Sequence, residues 1–367
     1  MSLPPFQLMK STILFSLVLC LLVLPARGAA KLELRDGDRV AFVGGVFMER
    51  EQDDGYIETM LTLAEPDKAL TFRNFGWGGD TVESHLAPKV PARPKYVPSL
   101  FDYLEKYQPS VVFISYGMME SFRGEDALPE FVDYYNQLIS RITAISNPRI
   151  VLVSPFQHEA LGGHFPDPEE HNRLLRLYVD ATGELARKRG AIFVNLFDSL
   201  DIKGKAQFTS NGVHLNSRGY REAAEVMRKL LGLAAPKIKL PDFETVRSAI
   251  RHKNKQWWFH YRPMNSEYVY PGGTRYQNEL GGVQHPMFSE LEAFAKLAEK
   301  EDQLIRNLLN QWRRNEPLKA PVKPSTTVVF PNPPDPEAER KTFTVAEEFE
   351  VNLLAADPKI TKPVQMA

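Results

Sequence analysis

The chain has 367 residues, 43% apolar and 25% charged, close to average globular composition and long enough for one large domain with appendages. Its 45 basic and 46 acidic residues leave a formal net charge of -1, which excludes a global field drawing it to nucleic acid or to an anionic membrane. A neutral or locally recognised ligand is the expected partner.

The first thirty residues carry Lys10, an apolar run over 12–24, and then Pro25-Ala26-Arg27-Gly28-Ala29-Ala30. A basic edge, a short apolar stretch and a small-residue region form the layout of a secretory signal peptide, so a secreted or periplasmic protein is expected. The run falls short of the roughly 20 apolar residues of a membrane span; an uncleaved anchor is the second reading, and the mature chain is expected to have no span. The single cysteine, Cys20, lies inside this run. Cleavage near Ala30 leaves no thiol, and with it no disulfide and no cysteine-ligated metal.

From Arg39 onward, short apolar runs alternate with longer amphipathic ones. Strands are predicted at 39–43, 70–74, 111–115, 149–154 and 191–196, and helices at 55–64, 99–107, 129–145, 168–189 and 217–233. This alternation predicts a parallel sheet covered on both faces, with ligands gathering beyond the carboxyl ends of the strands. Unusual residues lie at those ends: Gly44-Gly45-Val46, the glycine-rich run 76–80, the loop 117–121 and the loop 155–164. After residue 233 come an aromatic and basic cluster at 254–263, a heptad-like helical stretch at 288–314, and a proline-dense linker from Glu316. The aromatics Trp257, Trp258 and Tyr261 have two readings, stacking on sugar rings in a groove or docking this extension onto the sheet domain; docking is favoured. The predicted organisation is a signal peptide at 1–30, the α/β domain at 31–235, an aromatic and helical extension at 236–315, the linker at 316–340, and at 341–367 the start of a further, truncated domain.

Three blocks carry the chemistry: Gly78-Gly79-Asp80-Thr81, Tyr116-Gly117-Met118-Met119-Glu120-Ser121, and Asn211-Gly212-Val213-His214-Leu215-Asn216. In order and spacing, residues 36–233 resemble the SGNH (GDSL-type) ester hydrolases. The resemblance implies a flavodoxin-like three-layer α/β/α sandwich with a central parallel sheet, and hydrolysis of esters such as acetyl groups on polysaccharides. Carried over by position, His214 matches the general base, Asn211 stands for the aspartate that orients it, and Gly79 matches the glycine whose N–H faces the oxyanion. Two positions depart from the pattern. Val46 replaces the nucleophilic serine, and Met119 replaces the asparagine that would donate its amide. Gly45, Asp80, Glu120, Ser121, His158 and Glu159 are expected to contact substrate.

Magnitudes weigh against ordinary serine-esterase action. Losing one oxyanion donor costs on the order of 10² to 10³ in rate, and exchanging the triad aspartate for asparagine about 10⁴. Ser84, Ser115, Ser121 and Ser154 lie near strand ends as possible substitutes, Ser121 the most suggestive, although turn formation explains serines in loops equally well. Gln157-His158-Glu159, His164, Asp167 and His171 crowd titratable groups into the fourth loop, but their spacing fits no strong ligand motif, and neither metal nor cofactor is expected. Two functions stay open: an esterase with a substitute nucleophile or activated water, and an inactive carbohydrate- or ligand-binding module. An acylated saccharide or small ester is the expected ligand under either. The combination also resembles secreted proteins, typical of planctomycetes and relatives, in which such a domain precedes a propeller similar to sugar dehydrogenases and a haem-binding region; residues 349–358 are similar to the start of that propeller. A covalent partner domain beyond Ala367 is therefore expected.

Overall fold

The computed structural model describes residues 31–86, 98–202, 206–262, 276–277, 283–284, 286–318, 335–345 and 350–352. The leader-like run 1–30, most of the proline-dense linker and most of segment 349–358 lie outside the described residues.

Five strands, β1 (Arg39–Gly44), β2 (Thr71–Asn74), β3 (Val111–Ser115), β4 (Arg149–Val153) and β5 (Ile192–Val194), form one sheet in the order β2-β1-β3-β4-β5, every pair parallel. This is the flavodoxin-like order, with its topological switch between β1 and β3. The strands are continuous apolar runs because both faces are covered. Val40, Phe42, Val111, Phe113, Val151 and Val153 point to one face, and Ala41, Val43, Val112, Ile114 and Leu152 to the other. The first face is covered by α2 (Tyr56–Ala64), through Ile57 and Leu61, and by α7 (Ser217–Leu230), through Tyr220, Ala223 and Met227. The second is covered by α3 (Leu100–Tyr107), α4 (Leu128–Ser146) and α5 (Glu169–Arg189). The predicted three-layer sandwich is thus the observed one. β5 ends before residue 196 because Asn195 turns to cap the short helix α6 (Leu196–Ser199), its side chain accepting from the Asp198 N–H.

Two helices were not legible as such. α1 (Val46–Asp54) starts one residue after β1, where the pattern reads as a loop; from Glu49 onward it is polar throughout, and it buries Met48 together with Glu51 and Gln52. α8 (Leu240–Tyr261) runs through the aromatic and basic cluster as a 22-residue helix. It shows no single apolar face because it is covered on more than one side. Val246, Ala249 and Ile250 pack with Leu63 and with Ile305, Leu308 and Leu309 of α9 (Pro286–Arg313), while Trp257 and Tyr261 enter the core on the sheet's second face. Trp257 Nε1 donates to the Asn74 carbonyl at 2.7 Å and the Tyr261 hydroxyl to the Phe75 carbonyl at 2.8 Å. Buried charges add to the seam, Lys253 Nζ lying 2.5 Å from Glu58 Oε1 and Arg73 pairing with Asp302 at 2.7 Å. The extension is therefore continuous with the sheet domain in one unit, residues 1–320; the second unit, 321–367, holds the short helix α10 (Pro336–Arg340). No helix among the described residues is long and apolar enough to cross a membrane.

Candidate functional site

A cleft opens at the carboxyl ends of β1 and β3, where the switch point of such a sheet leaves a crevice. Gly45, Val46, Asp80, the loop 116–120, Val213 and His214 are among the residues that line it. Of the candidate residues, Gly45, Val46, Asp80, Met119, Glu120 and His214 line this cleft; Gly79, Ser121, His158, Glu159 and Asn211 do not.

Backbone hydrogen bonds shape the His214 loop. Thr209 and Leu215 form an antiparallel bridge, and Asn216 caps α7 by accepting from the Gly219 N–H at 3.0 Å. Asn211 Oδ1 accepts the His214 N–H at 3.0 Å, which turns the Asn211 amide nitrogen toward His214 Nδ1, also at 3.0 Å. An amide NH₂ only donates, so Nδ1 accepts and the ring hydrogen resides on Nε2. A triad aspartate does the reverse, taking the hydrogen from Nδ1 and leaving Nε2 bare as a base. Burial, and after it the nearby Arg50 guanidinium, holds the His214 pKa below the ordinary histidine value. The ring is therefore neutral at pH 7 and presents an N–H donor to the cleft.

His158 and Glu159 brace this loop from behind. Glu159 Oε2 accepts the Thr209 N–H at 2.7 Å and the Thr209 hydroxyl at 2.5 Å, Oε1 accepts the Phe208 N–H at 3.0 Å, and the Glu159 N–H donates to Gly212 O at 2.9 Å. Gly212 has φ +93°, and a Cβ there would strike the His158 ring, so the loop closes this tightly only on glycine. Both side chains border a second depression, with Gln157, Asp167 and Asn172.

Ser121 is fully buried. Its hydroxyl donates to Met118 O at 2.8 Å and lies 2.8 Å from His171 Nε2; His171 Nδ1 in turn lies 3.0 Å from His158 Nδ1. Burial, with a smaller push from His158, lowers the His171 pKa to about 4. Each link between the two neutral rings has one donor and one acceptor, and the chain ties the loop after β3 to the floor of the His214 loop. Ser84 is tied into the Thr81 turn, and Ser154 Oγ accepts the Leu196 N–H at 2.9 Å. Ser115 lines the cleft, and its hydroxyl makes no hydrogen bond among the described residues.

Val46 is the first residue of α1, and Gly45 before it provides no side-chain cap. The N–H groups of Val46 and Phe47, which a helix leaves unpaired at its start, find no partner among the described residues. Glu120 staples its surroundings, Oε1 accepting the Val82 N–H and Oε2 the Gly117 N–H, both at 2.8 Å, and burial pushes its pKa up. Met119 stands at the rim, 42% exposed. Gly79 is exposed, and its neighbour Asp80 turns into the cleft. Sequence reasoning missed His85 and Tyr116: His85 Nε2 lies 2.9 Å from Asp80 Oδ2 and 3.0 Å from the Tyr116 hydroxyl. The available signal was a histidine five residues after an aspartate in a loop already suspected.

A parallel sheet covered on both faces, with polar loops gathered at its switch point, defines a flavodoxin-like α/β domain. Residues 44–222 match the GDSL-like lipase/acylhydrolase family model. Solved structures with a similar fold include the acetylxylan esterase Axe2 from Geobacillus stearothermophilus, 16% identical over 55% of this chain and 98% of that one with a TM-score of 0.43. A Parabacteroides merdae protein named as a GDSL-like lipase is 17% identical over 56% of this chain and all of that one, with a TM-score of 0.45. A gut microbial diltiazem-metabolizing enzyme is 19% identical over 56% of this chain, which spans only 49% of that protein, with a TM-score of 0.44. No curated protein matches the chain.

Proposed function

We propose that the cleft receives the acyl group of an ester, carried by a saccharide or a small alcohol, and that it does so without a serine nucleophile. One observation carries this reading: His214, the residue that would activate a serine, is wired by Asn211 as an Nε2–H donor and lines the same cleft as the apolar Val46. An Nε2–H donor in the same cleft lining as the N-terminus of α1 suits an ester carbonyl oxygen, and Val46 and Met119 suit the acyl carbon chain. Calorimetric titration with an acetylated xylo-oligosaccharide should show binding that His214→Ala weakens. Equal titration of both proteins would sink the reading. A serine-directed fluorophosphonate should leave the chain unlabelled.

The context we propose is a secreted polypeptide in which this domain precedes a propeller similar to sugar dehydrogenases and a haem-binding region. The leader-like residues 1–30 and the segment 349–358 support it. Mass spectrometry of the native protein checks it, since a mature N-terminus far from residue 31, or a C-terminus at Ala367, contradicts it.

A further inference from the structure

We propose that Asp80 is the general base of this cleft, delivering water to the ester carbonyl so that hydrolysis is a single displacement with no acyl-enzyme; this rests on the cleft being the ester site proposed above. The carboxyl group is 4% exposed and lines the cleft beside Gly45, whose missing Cβ would lie 2.9 Å from the Asp80 carbonyl oxygen. Asp80 is thus packed against the residue before the vacant nucleophile position. Its Oδ2, though 2.9 Å from His85 Nε2, lacks the geometry of a hydrogen bond, and Oδ1 accepts none among the described residues. Buried carboxylates ordinarily have their lone pairs satisfied. This one keeps an unpartnered, buried Oδ2 in a residue that lines the cleft, an acceptor that an O–H group of an entering ligand or water would use. Glu120, the other carboxyl group in the cleft, has both oxygens committed to backbone N–H groups.

The water oxygen adds to the carbonyl carbon while its proton passes to the Asp80 carboxylate, and the C=O π pair moves onto the carbonyl oxygen, which accepts from His214 Nε2–H. The tetrahedral adduct then collapses, its C–O bond to the alcohol breaks, and the departing oxygen takes the proton back from Asp80. One ester and one water yield one acid and one alcohol, and Asp80 is regenerated. His85, between Asp80 and Tyr116, acts as a positioning residue. The rival is Ser115, whose attack would leave an acetylated protein.

The test is 4-nitrophenyl acetate hydrolysis by the full chain and by its Asp80→Asn and Asp80→Glu variants, with mass spectrometry of the acid-quenched wild type. The expected result is wild-type release of 4-nitrophenolate above the spontaneous rate, without a burst and without acetylated protein. Asp80→Asn should lower kcat by on the order of 100-fold with KM little changed, the usual contribution of a general base, and Asp80→Glu should retain part of the rate. Acetylation of Ser115 or of any other residue during turnover overturns the proposal, as does an Asp80→Asn protein that keeps its rate. Should Asp80→Asn fail to melt cooperatively, Asp80→Glu and the quenched wild type decide. Absence of wild-type turnover also overturns it; binding of the acetylated oligosaccharide that His214→Ala weakens would then leave the ester-site reading standing, and absence of that binding removes both.

Discussion

Residues 44–46 and residues 209–216 contribute to the same cleft and differ in how each is held. The first is shaped by backbone alone, a strand, a glycine and a helix start, and presents the apolar Val46. The second is heavily braced, by Glu159, Thr209 and His158, and presents His214 with its ring hydrogen on Nε2. Neither difference collapses the cleft. The site's shape is held by backbone and buried hydrogen bonds behind the walls, so its chemistry can change while its geometry persists.

The largest expected effect comes from repairing both loops together. Val46→Ser alone sets a hydroxyl before an imidazole that donates. Adding Asn211→Asp returns the hydrogen to Nδ1 and bares Nε2, and should raise activated-ester hydrolysis by up to about 10⁴-fold over Val46→Ser, about 5 kcal/mol in barrier. In the wild-type background the same Asn211→Asp change has the opposite sign, because it removes the Nε2–H donor; a loss of roughly 10²-fold is expected. If the two backgrounds respond alike, the donor assignment of His214 is wrong.

Next in size is the brace on the neighbouring loop, which lies outside the matched segment 44–222. Trp257 and Tyr261 of α8 bond to the carbonyls of Asn74 and Phe75, at the root of the loop that carries Asp80. Trp257→Ala should cost about 3–5 kcal/mol in urea unfolding, as truncation of a buried large aromatic does. An exposed partner on the same helix, Arg251→Ala, should cost less than about 1 kcal/mol. Similar small losses at both positions would show that α8 merely rests on the domain.

The contrast between the loops also explains what could be read from the sequence. Strands buried on both faces advertise themselves as apolar runs, so β1 and β3 matched within a residue. Of the glycine and histidine blocks, Asp80 and His214 fall on the lining of the switch-point cleft, whereas Gly79 and Asn211 do not. α1 escaped because its buried residues, Met48, Glu51 and Gln52, are mostly polar; α8 escaped because aromatic and charged residues are both internal there, with Lys253 buried against Glu58. The roles of His158, Glu159 and Ser121 depend on contacts reaching from 13 to 50 residues along the chain. Spacing marks such residues as notable but cannot say whether they face the cleft or support it from behind.

The buried histidine pair predicts an acid-sensitive fold. His171 titrates at about 4 in the folded chain against about 6.5 when unfolded. Above pH 6.5 both states are neutral and nothing is lost; as pH falls, the unfolded chain takes the proton first, so stability drops between about pH 6.5 and pH 4 by about 3 kcal/mol. Urea midpoints at pH 7 and pH 4.5 should show this loss. His171→Asn should flatten the profile, while its loss of stability at pH 7 stays constant with pH. A wild-type curve as flat as the variant's would mean that the Ser121–His171–His158 chain is not coupled to folding.

The smallest effects separate two carboxylates with similar jobs. Glu159 and Glu120 each staple backbone N–H groups of a cleft loop, so either replacement by glutamine turns an NH₂ donor toward an N–H donor. Glu159 additionally accepts the Thr209 hydroxyl, whose oxygen accepts the Gly212 N–H at 2.9 Å, so the mismatch propagates into the turn beneath His214. Glu159→Gln should cost about 2 kcal/mol, within the range for losing hydrogen bonds to a charged group. At Glu120 burial already raises the pKa, so the ionised form gives up part of its advantage to desolvation and a neutral replacement forfeits less. Glu120→Gln should cost about 1 kcal/mol. The ligand readout should be ordered the same way, with Glu159→Gln weakening oligosaccharide binding more than Glu120→Gln even though only Glu120 lines the cleft. The reverse order would mean that the histidine loop holds its shape without its brace, and that direct contact at the wall matters more than the scaffolding behind it.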